Sequence, residues 1–87
     1  MYQVVFSESV VKELKKLDKQ TARVIKNWIA RNLQGVVDPR LQGKPLKGKL
    51  HGIWRYRIGE YRLFAEIQDD RLIILLIKIG HRREVYR

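Results

Sequence analysis

The sequence predicts an α+β fold: an N-terminal strand and a helix hairpin packed on an antiparallel β-sheet. Apolar residues recur at helical spacing up to Leu33, the spacing changes to strand-like alternation beyond Gly52, and a Gly- and Pro-containing stretch separates the two. With 87 residues there is room for one domain, residues 1–87, burying roughly 60 to 65% of its unfolded surface.

Val4, Val5 and Phe6 form a short strand-like start, and Ser7 is placed as an N-cap with Glu8 favourable to the helix dipole. Val10, Val11, Leu14 and Leu17 follow as one apolar stripe, with Lys12, Glu13, Lys15 and Lys16 on the wet side. Asp18 caps a second helix, whose apolar positions Ala22, Ile25, Ile29 and Leu33 continue until Gly35 ends it. From Gly35 to Gly52 the turn formers Asp38-Pro39, Gly43, Lys44-Pro45 and Gly48 predict a long basic loop. Beyond it, Tyr56, Ile58, Tyr61, Leu63, Ala65 and Ile67 fall on one side and Arg55, Arg57, Arg62 and Glu66 on the other, the pattern of paired strands. Gly59-Glu60 suits a two-residue turn with Gly first, and Asp69-Asp70 suits a second. The apolar run Leu72 to Ile79 then reads as an interior strand covered on both faces.

Composition narrows the function. Lys+Arg 19 against Asp+Glu 9 gives a net charge of +10, an excess that attracts polyanions, with nucleic acid as the expected partner, solubility alone as the plainer reading and anionic membrane as the third. Without Cys there is no disulfide framework or thiolate metal site, and two His without matching carboxylates make a poor zinc site, so no cofactor or metal is expected. The longest apolar run is far below the ~20 residues a spanning helix needs, and no signal peptide is read at the N-terminus. A cytoplasmic protein is expected.

The candidate chemistry lies where the arginines meet. A two-residue turn at Gly59-Glu60 sets Arg57 opposite Arg62 with Arg55 two positions along on the same face. Like charges opposite one another cost up to about 1 kcal/mol, so a bound anion explains the placement better than a structural role does. Of Trp54, Tyr56, Tyr61 and Phe64, only those reaching the same face could stack on bases. With Asp69-Asp70 as the next turn, Ile77 lies beside Arg62, and Gly80-His81-Arg82-Arg83 and Tyr86 arrive at the same end of the sheet.

Pro45-Leu46-Lys47-Gly48, Gly52-Ile53-Trp54-Arg55-Tyr56-Arg57, Tyr61-Arg62-Leu63 and Ile79-Gly80-His81-Arg82-Arg83-Glu84-Val85-Tyr86 together resemble the RelE/ParE toxin superfamily, over nearly the full chain and closer to its RelE branch. The resemblance implies a RelE-like, microbial-RNase-like fold and the toxin of a type II toxin-antitoxin system. RelE-type toxins cut mRNA in the ribosomal A site, by attack of the 2′-hydroxyl on the adjacent phosphate without metal, and so inhibit translation. ParE-type relatives instead poison DNA gyrase. The implied partners are a RelB-like antitoxin that neutralises the toxin, mRNA and the ribosome with its RNA. Residue by residue, the basic strand positions correspond to Arg55 and Arg57, the phosphate-binding arginine to Arg62, and the C-terminal arginine and tyrosine to Arg82 and Tyr86. Some relatives carry Lys where this chain has Arg55 and Arg57, and a guanidinium is a poor proton acceptor. The general base is thereby left open, with His81 as the obvious substitute, since an imidazole titrates near neutrality. The catalytic set is therefore His81, Arg62, Arg82, Tyr86 and Arg57, with Arg55, Lys47, Lys49 and Arg83 contacting substrate.

Plainer readings stand beside these. His81 alone is more often a turn histidine, Tyr86 can simply anchor the C-terminus, and Trp28 and Trp54 read as core or interface aromatics. The basic helix face is ordinarily solvated, and Lys44, Lys47 and Lys49 form a phosphate-seeking loop without P-loop spacing. A ParE-like gyrase inhibitor and a non-catalytic RNA-binding module remain the alternative functions.

Overall fold

The computed structural model describes residues 1–47 and 52–81. In chain order it contains β1 (Gln3–Phe6), α1 (Glu8–Lys16), α2 (Lys19–Asn32), β2 (Gly43–Pro45), β3 (Ile53–Ile58), β4 (Tyr61–Gln68) and β5 (Ile73–His81). Both helix starts follow the local chemistry of their caps. The Ser7 side chain accepts from the Val10 N–H and the Asp18 carboxylate from the Thr21 N–H, each satisfying an amide that the first helical turn leaves without a partner. Gly35 adopts a φ of 75°, the left-handed conformation that turns the chain out of α2.

One sheet is ordered β1-β5-β4-β3-β2, with β1 parallel to β5 and every other pair antiparallel. Val10 and Leu14 of α1 and Ala22, Ile25 and Ile29 of α2 are buried together with Tyr56, Ile58, Leu63, Ala65, Ile74, Leu76 and Ile79 from one face of the sheet. Val11 departs from the expected stripe: it is 37% exposed and lines a groove with Phe6 and Leu17.

The sheet also differs from the sequence expectation. The loop from Gly35 to Gly52 contains an edge strand, β2, which pairs with β3 through Gly43 opposite Tyr56, Lys44 opposite Arg55 and Pro45 opposite Trp54. Proline is tolerated there because the outer side of an edge strand needs no ladder donor. The turn after β4 has four residues rather than two. Gln68 pairs with Ile73, and the turn closes through Leu72 at a φ of 53°, which a leucine's side chain does not advertise. With a bulge at Phe64/Ala65 added, Gly80 rather than Ile77 faces Arg62. Finally, β5 is interior as expected, but only one of its faces is fully covered: Ile74 and Leu76 are buried, while Ile73 and Leu75 are half-buried.

A polar clasp holds the Asp69 turn to the loop before β2. Arg40 donates from Nη1 and Nη2 to the two Asp69 carboxylate oxygens at 3.0 and 2.8 Å, and the Tyr2 hydroxyl donates to Asp69 Oδ1 at 2.5 Å. Arg40 also lies 5.5 Å over the Trp54 ring. The Arg40 hydrogen bonds, followed by that of Tyr2, hold the Asp69 carboxyl below its ordinary value of 3.8. Because the folded value is depressed, the clasp contributes fully above the unfolded carboxylate range, and its contribution is lost as the pH falls through the folded value. Asp69→Asn is therefore expected to be less stable than wild type at neutral pH and to lose less of its melting temperature on acidification below about pH 4, followed by thermal denaturation across that range.

Among the described residues no helix is long and apolar enough to cross a membrane.

Candidate functional site

The β3–β4 hairpin builds the site. Gly59 takes a φ of 58° at the first central position of the expected two-residue turn, and Arg57 then stands opposite Arg62 while Arg55 stands opposite Phe64. Direct partners across an antiparallel pair share a face, so Arg55, Arg57, Arg62 and Phe64 lie together on the side of the sheet away from the helices. Tyr56, Ile58, Tyr61 and Leu63 point the other way, into or against the core. Trp54 joins them, which leaves Phe64 as the one aromatic of the four candidates on the arginine face.

The edge strand supplies the far wall. Gln42, Gly43 and Lys44 line, with Arg55, Arg57 and Arg62, a cavity of about 310 Å³. That volume is at the small end of ligand sites, suited to a phosphodiester link and its sugar rather than to a large cofactor. Arg62 is only 3% exposed, Arg55 is half-buried and Arg57 is exposed, so the guanidinium groups form a graded cluster from floor to rim. Guanidinium forks match phosphate oxygens two at a time, and in a partly dehydrated recess such bonds are stronger than at an open surface. Among the described residues no group of His, Cys, Asp and Glu is arranged to hold a metal ion.

Tyr56 positions this wall from behind. Its hydroxyl donates to the Pro39 carbonyl oxygen at 2.6 Å, its ring meets Trp28 at 5.7 Å, and burial pushes its phenol up to about 12. A Cβ at Gly43 would come within 2.8 Å of Tyr56 Cε1, so β2 closes over the ring only because residue 43 has no side chain. That close approach carries Lys44 and Gln42 alongside Arg55 and Arg57.

His81 arrives at the expected end of the sheet but on its other face. It stands opposite Tyr61 at the end of β5, with the two rings edge-on at a centroid distance of 5.2 Å. Its face is that of Tyr61 and Ile58, and the residue facing Arg62 is Gly80. The longer turn slides the strand by two residues, which keeps its faces, and the bulge adds one more, which exchanges them. Lys47 is exposed just beyond β2. Lys49, Arg82, Arg83 and Tyr86 lie outside the described residues.

A second surface lies between the helices. Phe6, Val11, Leu14, Leu17 and Ala22 line an apolar groove rimmed by Lys15, Lys19, Arg23 and Lys26.

Comparison with known proteins agrees with this architecture. Residues 4–86 match the family described as "ParE toxin of type II toxin-antitoxin system, parDE". The chain is 29% identical to Toxin RelG of Mycobacterium tuberculosis over 86 residues, covering 99% of this chain and 97% of the relative. It is 32% identical to Toxin RelE3 of Methanocaldococcus jannaschii over 85 residues, covering 95% and 93%. In structure it is similar to a chain of the RelBE2 toxin-antitoxin complex from M. tuberculosis, with a TM-score of 0.84, 28% identity and coverage of 93% and 91%. Against the isolated Escherichia coli RelE toxin the TM-score is 0.74 at 26% identity, covering 99% and 92%.

Proposed function

The chain belongs to the RelE/ParE superfamily of toxins of type II toxin-antitoxin systems, and from that premise we propose that it is an endoribonuclease cutting mRNA in the ribosomal A site. The observation that carries this reading is the convergence of Arg55, Arg57 and Arg62 with Lys44 on one recess, guanidinium forks that match phosphate oxygens two at a time.

In this reading the RNA 2′-hydroxyl attacks the adjacent phosphate, the P–O5′ bond breaks, and the products are a 2′,3′-cyclic phosphate and a free 5′-hydroxyl. Arg62 and Arg57 bind the phosphate and offset the charge that grows on its oxygens in the transition state. Arg55 and Lys47 hold the neighbouring backbone. Arg82 stabilises the leaving oxygen and Tyr86 orients the nucleotide, as the resemblance implies, with Lys49 and Arg83 as further backbone contacts. His81 does not carry the proton transfer in this reading, since its ring lies edge-on to Tyr61 on the reverse face. Arginines alone are poor proton acceptors, and this supports dependence on the ribosome to complete the site.

The partner in this reading is an antitoxin, as in the RelBE complexes that the fold resembles. The apolar groove with its rim of Lys15, Lys19, Arg23 and Lys26 suits an amphipathic, acidic segment.

A second reading follows from the ParE description of the matching family. A ParE-type toxin would poison gyrase and leave transcripts whole. Analysis of transcript ends separates the two. New 5′-hydroxyl ends on mRNA with unchanged gyrase supercoiling are expected, whereas gyrase-dependent DNA breaks with intact transcripts would overturn the nuclease reading.

A further inference from the structure

We propose that the arginine face carries a second RNA subsite beside the reacting phosphate, with Phe64 as a base-stacking platform and Lys44 and Lys78 as phosphate contacts flanking it. The inference rests on the RNA reading above and extends it to residues outside the arginine cluster.

The sheet register builds the subsite. Lys44 pairs with Arg55, Arg55 with Phe64, and Phe64 with Lys78, so the four residues form one row running across β2, β3, β4 and β5. Partners across antiparallel strands share a face, and with strands about 4.8 Å apart the row spans roughly 14 Å. The adjacent row holds Arg57 and Arg62 with Gly80. Nucleic acid lying across the strands would meet the phosphate-binding pair in one row and a cation–aromatic–cation sequence in the next.

Each member fits that occupant. Lys44 and Lys78 are both exposed, and Lys44 lines the same recess as Arg55, Arg57 and Arg62. Phe64 is half-buried, yet it is absent from the aromatic and aliphatic residues that pack against the helix-side core, whereas Trp54 and Tyr61 are among them. An aromatic ring on the face of the sheet away from the helices, set between cations, is the arrangement by which single strands are held without sequence readout: bases stack on the ring while their phosphates meet the charges. Among the described residues, the acidic side chain on this face nearest the row is Glu66, one pair further along β4 and opposite Ile53. The charge of the row itself is positive throughout.

Binding of a labelled single-stranded RNA, 2′-O-methylated so that it is not cut, tests the subsite by fluorescence anisotropy. Phe64→Leu keeps the apolar volume and removes the π face, while Phe64→Tyr keeps both. Phe64→Leu is expected to bind between about five-fold and a hundred-fold more weakly, the range for a lost base–aromatic stack, with Phe64→Tyr close to wild type. Lys44→Gln and Lys78→Gln are each expected to reduce the slope of log affinity against log salt by about 0.7. A Phe64→Leu protein that binds as wild type, or slopes that do not change, would overturn the subsite. Wild type that fails to bind the oligonucleotide would overturn it too, whereas transcript cutting that survives in Phe64→Leu but not in Arg62→Gln would leave the nuclease reading standing alone.

Discussion

Arg62→Gln is expected to lower mRNA cutting by about 10²- to 10³-fold, the loss produced by removing one preorganised donor from a charge-stabilising site. Arg62 is the arginine best placed for this, because at 3% exposure it is the most dehydrated of the cluster and it sits on β4, paired with Arg57 of β3 on one side and Gly80 of β5 on the other. Arg62→Lys retains the charge but not the planar fork, so its loss should be smaller though still clear. Arg57→Gln supplies the complementary signature. Arg57 is exposed and directly opposite Arg62, so neutralising it relieves like-charge repulsion of a few tenths to about 1 kcal/mol. Cutting should fall while the melting temperature stays level or rises. A residue kept for stability would do the reverse.

Tyr56→Ala is expected to destabilise the protein by about 3–5 kcal/mol, as judged by urea unfolding. For 87 residues the total is only about 4–13 kcal/mol, so the variant should be partly unfolded in ordinary buffer. The size of the effect follows from what the ring joins. Tyr56 is fully buried, meets Trp28 of α2, ties down the loop through the Pro39 carbonyl, and supports Gly43 of β2. Tyr56→Phe isolates the hydroxyl: it leaves the Pro39 carbonyl buried without its donor and should cost about 1–3 kcal/mol. Since the same contacts seat Lys44 beside Arg55, Tyr56→Phe should also weaken RNA binding without touching an arginine.

Much of this architecture is legible in the sequence because it is encoded locally. Ser7 and Asp18 cap the helices through side chains three residues from their partners, and the stripe Ala22, Ile25, Ile29 and Leu33 is buried as its spacing predicts. Gly59 announces its own turn, and so the Arg57–Arg62 pairing can be read directly. What is not legible depends on distant partners. Gly43, Lys44 and Pro45 look like turn residues and become a strand only because β3 offers an edge and Tyr56 a flat ring to close over. Leu72 gives no local sign of a left-handed conformation, and the bulge at Phe64/Ala65 is a compromise between two registers. The turn sets how far β5 slides, and the bulge, as the single extra residue, decides the face on which His81 lies. Phe64 could have been assigned to the arginine face from the Gly59-Glu60 turn alone, since position 64 pairs with Arg55 once the turn has two residues.

The most direct test is 5′-end mapping of mRNA in a translating extract, with wild type and Arg62→Gln, each with and without active ribosomes. Cuts at A-site codons that require ribosomes and fade in Arg62→Gln are the expected result. Intact transcripts under wild-type protein, or cuts that persist unchanged in Arg62→Gln, would contradict a nuclease built on the arginine face.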